Sequence, residues 1–84
     1  PSSADGFYLK GTILMGMRQF SEAEAEFAHA LELAPDHSAT MNDLAVLLME
    51  QGRNAEARAL LERALEIRPD DELARGNLES LGPP

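Results

Sequence analysis

The chain has 84 residues, a formal net charge of −8 at pH 7, no cysteine and no tryptophan. A chain of this length forms one small domain with a modest core, and without cysteine it has neither disulfides nor thiolate ligands for a metal. The acidic balance disfavours nucleic acid as a partner, and no apolar run reaches the ~20 residues that a membrane span needs. We expect a soluble protein with no segment inserted in a membrane, in the cytoplasm rather than the periplasm.

A 34-residue repeat organises the sequence. The stretch from Ala55 to Pro69, AEARALLERALEIRP, closely matches the stretch from Ser21 to Pro35, SEAEAEFAHALELAP. Residues 4–37 overlay on residues 38–71 without a gap. Most of the identical positions carry small or apolar residues: Leu14/Leu48, Met15/Met49, Glu22/Glu56, Ala23/Ala57, Ala25/Ala59, Ala30/Ala64, Leu31/Leu65, Glu32/Glu66, Pro35/Pro69 and Asp36/Asp70. A period of this size is typical of stacked helical hairpins, which bury their apolar faces against one another.

The first half of the chain predicts two helices, at about 4–17 and 21–33. In the first helix, Gly11 is expected to allow the close approach of a neighbouring helix. The run from Ser21 to Glu24 is interpreted as a capping box for the second helix, and Pro35 is expected to end that helix. The inner stripe of the second helix is predicted to contain Ala23, Phe27, Ala30 and Leu31.

The second half predicts three helices, at about 38–51, 55–67 and 72–81. Gly52 is expected to end the first of these and Asn54 to cap the second. The apolar residues that we expect to face inward are Met41, Leu44, Ala45, Leu47, Leu48, Ala57, Leu60, Leu61, Ala64, Leu65, Leu73, Ala74, Leu78 and Leu81. Short connections make neighbouring helices antiparallel. Residues 1–3 and 82–84 are interpreted as linkers, as in a segment excised from a longer protein.

Each copy of the repeat carries large, small and proline residues that match one common pattern. In the first copy they are Phe7, Gly11, Phe20, Ala23, Phe27, Ala30 and Pro35. In the second they are Leu44, Ala45, Gly52, Ala57, Leu61, Ala64 and Pro69, and Asn77-Leu78 matches the opening of a third. This pattern resembles that of the tetratricopeptide repeat family over about residues 4–81. The departures are Lys10 where leucine is usual, Arg18 where the turn usually has glycine, and Met41 and Asn54 where aromatic residues are usual.

The resemblance implies an all-α solenoid of antiparallel helix hairpins that winds into a right-handed superhelix. Residues 4–37 and 38–71 would be two repeats, and residues 72–81 a partial third repeat that caps the array. Partners of this family lie in a concave groove formed mainly by the first helix of each repeat. Carried over by pattern, the groove residues here are Asp5, Tyr8, Leu9, Thr12, Met15, Ala39, Asn42, Asp43, Val46, Met49, Glu50, Leu73, Gly76 and Asn77.

The groove predicted in this way combines an apolar floor with an acidic edge. The floor contains Tyr8, Leu9, Val46 and Met49, and the edge contains Asp5, Asp43 and Glu50. We predict that it binds a peptide or helix of a protein partner that carries apolar anchors and Lys or Arg. Family members that hold the acidic C-terminal tail of heat-shock chaperones use a clamp of Lys, Arg and Asn. That subtype is disfavoured here, because Asp43 would repel a carboxylate.

The sequence does not indicate catalysis or a cofactor. Its carboxylates fall mostly on helix faces expected to be solvated, and His29 and His37 lack the spacing of metal ligands. We therefore predict a non-catalytic protein-interaction module. Two alternatives stay open: a structural segment that stacks with further repeats or with copies of itself as a homo-oligomer, or an accessory region of a larger enzyme. Self-association is considered because the first helix has an uncovered face that includes Phe7, Ile13 and Leu14.

Overall fold

The computed structural model describes residues 3–84, which form five α-helices and no strand. The helices are α1 (Ala4–Gly16), α2 (Phe20–Leu33), α3 (Ser38–Glu50), α4 (Asn54–Ile67) and α5 (Glu72–Leu81). The predicted number and order of helices are confirmed. Residues 1 and 2 of the predicted N-terminal linker lie outside the described residues. Ser3 is the N-cap of α1, where its Oγ accepts a hydrogen bond from the backbone N–H of Gly6 at 3.1 Å.

The five helices form two antiparallel hairpins and a closing helix. α1 packs on α2, α3 packs on α4, and α2 and α4 then contact the helix that follows each of them. α1 also contacts α3, and α3 contacts α5, so the first helices of successive units lie side by side. The core between the layers is formed by Ala23, Phe27, Met41, Leu44, Ala45, Leu47, Leu48, Ala57, Leu61, Ala64 and Ala74. The inward positions predicted on α3 are all confirmed as buried.

Gly11 lies against Phe27 where α1 packs on α2. A Cβ atom at this position would lie 2.6 Å from Cε1 of Phe27, whose ring is fully buried. Only a residue without a side chain leaves room for the ring. The predicted close approach at Gly11 is therefore confirmed, and the partner in that contact is Phe27.

Both hairpins turn through the same backbone motif, which displaces the predicted helix starts. Arg18 (φ 61°) and Gly52 (φ 75°) adopt the left-handed conformation. The next residue donates its N–H back into the preceding helix, Gln19 to the carbonyl of Leu14 at 2.9 Å and Arg53 to that of Leu48 at 2.8 Å. This is the Schellman ending of a helix, and the next helix begins one residue later.

Because these turns are so short, the predicted capping box and the predicted Asn54 cap are both wrong. α2 begins at Phe20, one residue before Ser21, and α4 begins at Asn54 itself. The residues that precede them, Gln19 and Arg53, make no side-chain cap. Ser21 and Asn54 therefore lie inside the first helical turn.

Arg53 instead links the two hairpins through ion pairs that the sequence analysis did not anticipate. Its guanidinium donates to Glu24 of α2 and to Glu56 of α4, each with a shortest N···O distance of 2.8 Å. The hydrogen bonds to Glu56 and then to Glu24 raise the pKa of Arg53, and the bond from Arg53 lowers the pKa of Glu56. A bidentate pair of this kind fixes orientation more than it adds stability, because the groups are open to water.

One predicted inward residue of α5 is not buried. Ala74 lies in the core, and Leu78 and Leu81 pack against it. Leu73, expected on the same side, is 72% exposed. Its direction follows from helical geometry, since a residue adjacent in sequence to a fully buried one lies about 100° away around the helix.

Candidate interaction surface

Two helical stripes that lie side by side form the candidate surface. On α1 the stripe contains Asp5, Tyr8, Thr12 and Met15, whose spacing of three or four residues places them on one face. The residues 34 positions later on α3 are Ala39, Asn42, Val46 and Met49. Because α1 contacts α3, the two stripes adjoin. We call the exposed and half-buried residues of these two stripes, together with the carboxylates Asp43 and Glu50 beside them on α3, the groove face.

The apolar part of the groove face is half-buried. Met15 and Met49 pack against the edge of the core, and part of each side chain is exposed. Val46 has intermediate exposure and lies three residues before Met49 on α3. The methionines therefore contribute to the core and to the surface at once. A flexible thioether suits such a position, because it can repack against different ligands.

Tyr8 joins the two helices across the groove face. Its hydroxyl donates a hydrogen bond to Oδ2 of Asp43 on α3 at 2.7 Å, in a partly buried setting. This hydrogen bond, together with burial and the charge of Asp43, raises the pKa of Tyr8 to about 12. The phenol is therefore neutral in the physiological range, and it holds the Asp43 carboxylate in a defined orientation.

A second contact between α1 and α3 involves a histidine at the start of α3. His37 is the N-cap residue, and its Nδ1 accepts the backbone N–H of Thr40 at 3.3 Å. Its Nε2 lies 2.9 Å from Oδ1 of Asp5, and its ring lies 5.4 Å from the ring of Tyr8. Since Nδ1 accepts from a backbone N–H, the proton belongs on Nε2, which donates to Asp5. The sequence gives His37 no metal-binding role, and its position directly before α3 is the signal for the capping role that the structure shows.

Asn42 does not belong to the open surface, and its predicted role there is corrected. It is 5% exposed, and its amide Nδ2 donates to Oδ2 of Asp71 at 3.0 Å. Oδ1 of the same Asp71 accepts the N–H of Ala74 and so caps α5 at 3.0 Å. Asn42 Oδ1 is buried without a hydrogen-bond partner among the described residues. This side chain holds α5 on α3, because a buried amide needs an acceptor within the protein.

The remaining predicted groove residues spread over a wider area. Leu9 is 58% exposed and shares its side of α1 with Ile13, four residues away, rather than with Tyr8. Glu50 is exposed and lies 3.9 Å from the guanidinium of Arg18. On α5, Leu73 is exposed and Asn77 is half-buried. The structure thus brings together the α1 and α3 stripes and leaves Leu9 to one side.

The described part of the chain has neither of two features that would suggest other functions. No helix within residues 3–84 has the length and apolar character to cross a membrane. Over the same residues, no group of three or more His, Asp or Glu side chains is placed to hold a metal ion. The features that characterise the groove face are its apolar strip, its carboxylates and its hydrogen bonds.

The fold defines the class of protein: five helices in successive antiparallel pairs form an all-α helical-repeat protein. A sequence model of the tetratricopeptide repeat matches residues 14–80. The chain therefore belongs to the tetratricopeptide repeat family, as its residue pattern predicts. This membership suggests a protein–protein interaction module on a scaffold that is typically non-catalytic.

One solved structure similar to this chain is the crystal structure of MamA. It superposes with a TM-score of 0.91 at 18% sequence identity, covering 95% of this chain and 47% of the MamA chain. At this identity the likeness concerns the fold alone. The chain spans about half the length of MamA. A comparison with curated proteins gives no match.

Proposed function

We propose that this chain is a non-catalytic module that binds a peptide or helix of a partner protein on the groove face. The observation that carries the proposal is a half-buried apolar strip beside a carboxylate that a hydrogen bond keeps in one orientation. Met15, Val46 and Met49 form the strip, and Tyr8 orients Asp43 next to it. Apolar area gives such a ligand its affinity, and a charge of fixed position gives it orientation.

The charge of the groove face favours a basic ligand. Asp5 is exposed, Glu50 is exposed, and Asp43 uses only Oδ2 in hydrogen bonds within residues 3–84. The chain as a whole carries a net charge of −8, which attracts a cationic segment from a distance. We therefore infer a partner with apolar side chains on one side and Lys or Arg at the margin. An acidic tail is the least suitable ligand for the same reason.

A pair of synthetic peptides tests the proposal directly. Both are amphipathic helices with the same leucine spacing, one with lysine and the other with glutamate at the polar positions. Fluorescence anisotropy should detect binding of the lysine peptide and no binding of the glutamate peptide. Asp43→Lys should weaken the lysine peptide by about fivefold, since an exposed ion pair contributes up to about 1 kcal/mol. Asp43→Asn, which keeps an acceptor for Tyr8, should have a smaller effect.

Glu62→Lys is the matched control, because it makes the same charge change on the exposed side of α4. It should alter the affinity much less than Asp43→Lys does, and the difference should shrink as salt is added. An equal loss in the two variants would mean that the net charge attracts the peptide and that the groove face has no special part. Failure of the lysine peptide to bind at all would reject the proposed ligand chemistry.

A further inference from the structure

The side of α1 that faces away from the rest of the array is apolar and exposed. Leu9, Ile13 and Met17 are 58%, 63% and 59% exposed, and their four-residue spacing places them on one stripe. Gly16 lies beside this stripe, and an added Cβ there would meet no atom within 4 Å. We call these residues the outer face of α1. Isolated exposed apolar residues are common, but a contiguous stripe of three marks a contact surface.

The 34-residue period relates the outer face of α1 to residues of α3, whose contacts are known from the structure. The residue 34 positions after Ile13 is Leu47, which is 0% exposed because the first hairpin packs against α3. The residue 34 positions after Leu9 is Asp43, which accepts the hydrogen bond from Tyr8 of the first hairpin. Ile13, at the centre of the outer face of α1, thus has the position of a buried inter-hairpin residue, and no hairpin lies on it within residues 3–84.

The last helix, α5, has a different surface from the outer face of α1. α5 covers α3 and α4, and most of its exposed residues are polar, namely Glu72, Arg75, Glu79 and Ser80. After α5 the backbone leaves the helix at Gly82, whose φ is 74°. These polar residues make the exposed side of α5 less apolar than the outer face of α1. Within residues 3–84, no helix covers the outer face of α1.

We propose that the outer face of α1 is a self-association interface in which two copies of this chain pack α1 against α1, antiparallel, across a two-fold axis. The exposed side of α5 carries mostly polar residues, so it offers the outer face of α1 little apolar surface for a head-to-tail contact. The outer face of α1 then meets the same face of a second copy. A contact of this type is isologous and closes as a dimer.

The distribution of charge favours this end of the molecule for contact between two acidic chains. α1 carries one acidic and one basic residue, Asp5 and Lys10, and is neutral. α2 carries four acidic residues and no Lys or Arg: Glu22, Glu24, Glu26 and Glu32. Two copies with a charge of −8 each repel one another least where α1 faces α1.

The antiparallel direction follows from the charges at the two ends of α1. Asp5 lies in the first turn and Arg18 follows the C-cap residue Met17, and both side chains are largely exposed. An antiparallel pair brings the Arg18 end of one copy near the Asp5 end of the other, whereas a parallel pair would bring like charges together. Ile13 lies midway between Leu9 and Met17, so the two-fold axis passes close to it.

The first test is molar mass in solution, measured by light scattering over a wide range of concentration. The unmodified chain should rise from the monomer mass towards twice that mass. Ile13→Glu should stay at the monomer mass over the whole range, because a charge in the centre of the stripe would have to be buried. Leu73→Glu is the matched control, since Leu73 is more exposed than Ile13 but lies on α5. It should associate as the unmodified chain does.

These masses decide the proposal in either direction. A constant monomer mass for the unmodified chain overturns it and leaves the outer face of α1 to another occupant, such as a further helical hairpin. Equal loss of association in Ile13→Glu and Leu73→Glu also overturns it. Circular dichroism of each variant establishes that the helices are intact. Asp43→Lys should leave the mass unchanged, which separates this interface from the groove face.

A cross-link tests the two-fold arrangement itself. The chain has no cysteine, so Ile13→Cys introduces a single thiol per copy. Mild oxidation should yield a disulfide-linked dimer, because residues near a two-fold axis approach within the distance that a disulfide spans. Leu73→Cys, at the opposite end, should give much less cross-linked product at the same concentration. Association without a cross-link at Ile13 would reject the antiparallel pairing.

Discussion

The two hairpins share the same backbone arrangement, but different pairs of residues form the contact between their helices. Where α1 crosses α2, Gly11 faces the ring of Phe27. The corresponding residues in the second hairpin are Ala45 and Leu61, and both are fully buried. A glycine with a large ring and an alanine with a leucine are two ways to fill a similar space. The repeat therefore constrains the combined size of the two residues in a contact, whereas the identity of each residue can vary.

The junctions between units differ in a second way. Between α1 and α3 the link is Tyr8, which bonds to Asp43 and lies against the ring of His37. Between α3 and α5 the corresponding link is Asn42 bonded to Asp71, and it is buried. The first junction is partly open to water and adjoins the groove face. The second is closed and serves to hold α5. Substitutions at the two junctions test this contrast.

The largest effect is expected at the closed junction. Asp71→Ala removes the N-cap of α5 and leaves the buried amide of Asn42 without its acceptor. A lost cap costs about 1 kcal/mol and an unpaired buried polar group about 1–3 kcal/mol, so the free energy of unfolding should fall by about 2–4 kcal/mol. Urea denaturation followed by circular dichroism measures this change.

Two further variants test whether burial of the Asn42–Asp71 contact is the cause of the larger loss of stability in Asp71→Ala. His37→Ala removes the corresponding cap of α3 at the open junction, and we expect a loss of about 1 kcal/mol. Asp70→Ala removes an exposed carboxylate next to Asp71 and should change the stability by less than about 0.5 kcal/mol. Equal losses for Asp71→Ala and His37→Ala would contradict the distinction between a closed and an open junction.

The next effect concerns the contact between Gly11 and Phe27. Gly11→Ala gains about 1 kcal/mol in helix propensity, but its Cβ would overlap the buried ring, and overpacking costs about 1–3 kcal/mol. We expect a net loss of stability of about 1 kcal/mol. Phe27→Leu alone also destabilises, because it leaves a cavity.

The double variant reproduces the pair found in the second hairpin. Gly11→Ala with Phe27→Leu should be more stable than the sum of the single effects predicts, with a coupling energy of at least about 1 kcal/mol. Denaturant unfolding of the four proteins gives this cycle. Strict additivity of the two substitutions would show that the sizes of these residues are not coupled.

These contacts also show where the sequence was sufficient and where it was not. The period, the five helices and the core of α3 follow from apolar spacing, because that spacing reports which face of a helix is buried. Asn42 was assigned to the groove by its place in the pattern, and nothing local reveals that Asp71 comes to lie against it 29 residues later. The helix starts at Phe20 and Asn54 were missed because the geometry of the turn took precedence over capping preference.

The groove face remains a prediction for a related physical reason. Helical spacing places Tyr8, Thr12 and Met15 on one side of α1, and their alignment with α3 follows from the 34-residue period. The sequence also places Leu9 among these residues, since neighbouring positions are hard to divide between two faces of a helix. In the structure Leu9 shares the outer face with Ile13, and its part in the groove face can be tested with the lysine peptide and Leu9→Ala.

A further prediction concerns the open junction. Tyr8→Phe keeps the ring and removes the hydrogen bond to Asp43, so the free energy of unfolding should fall by about 1 kcal/mol. Tyr8 is the chain's one tyrosine, so the ultraviolet absorbance of tyrosinate reports this residue without interference. In the folded protein the midpoint of that absorbance should lie near pH 12, compared with the ordinary value of 10.0 in denaturant.

The shift in the pKa of Tyr8 also fixes how this contact depends on pH. Because the folded state favours the neutral phenol, it keeps the proton at pH values where the unfolded chain has lost it. The contribution of Tyr8 is therefore complete below about pH 10 and is lost as the pH rises towards 12. Asp43→Ala should lower the folded midpoint towards 10.0, since the hydrogen bond to Asp43 is the largest cause of the shift. An unchanged midpoint in that variant would mean that burial, and not Asp43, holds the phenol neutral.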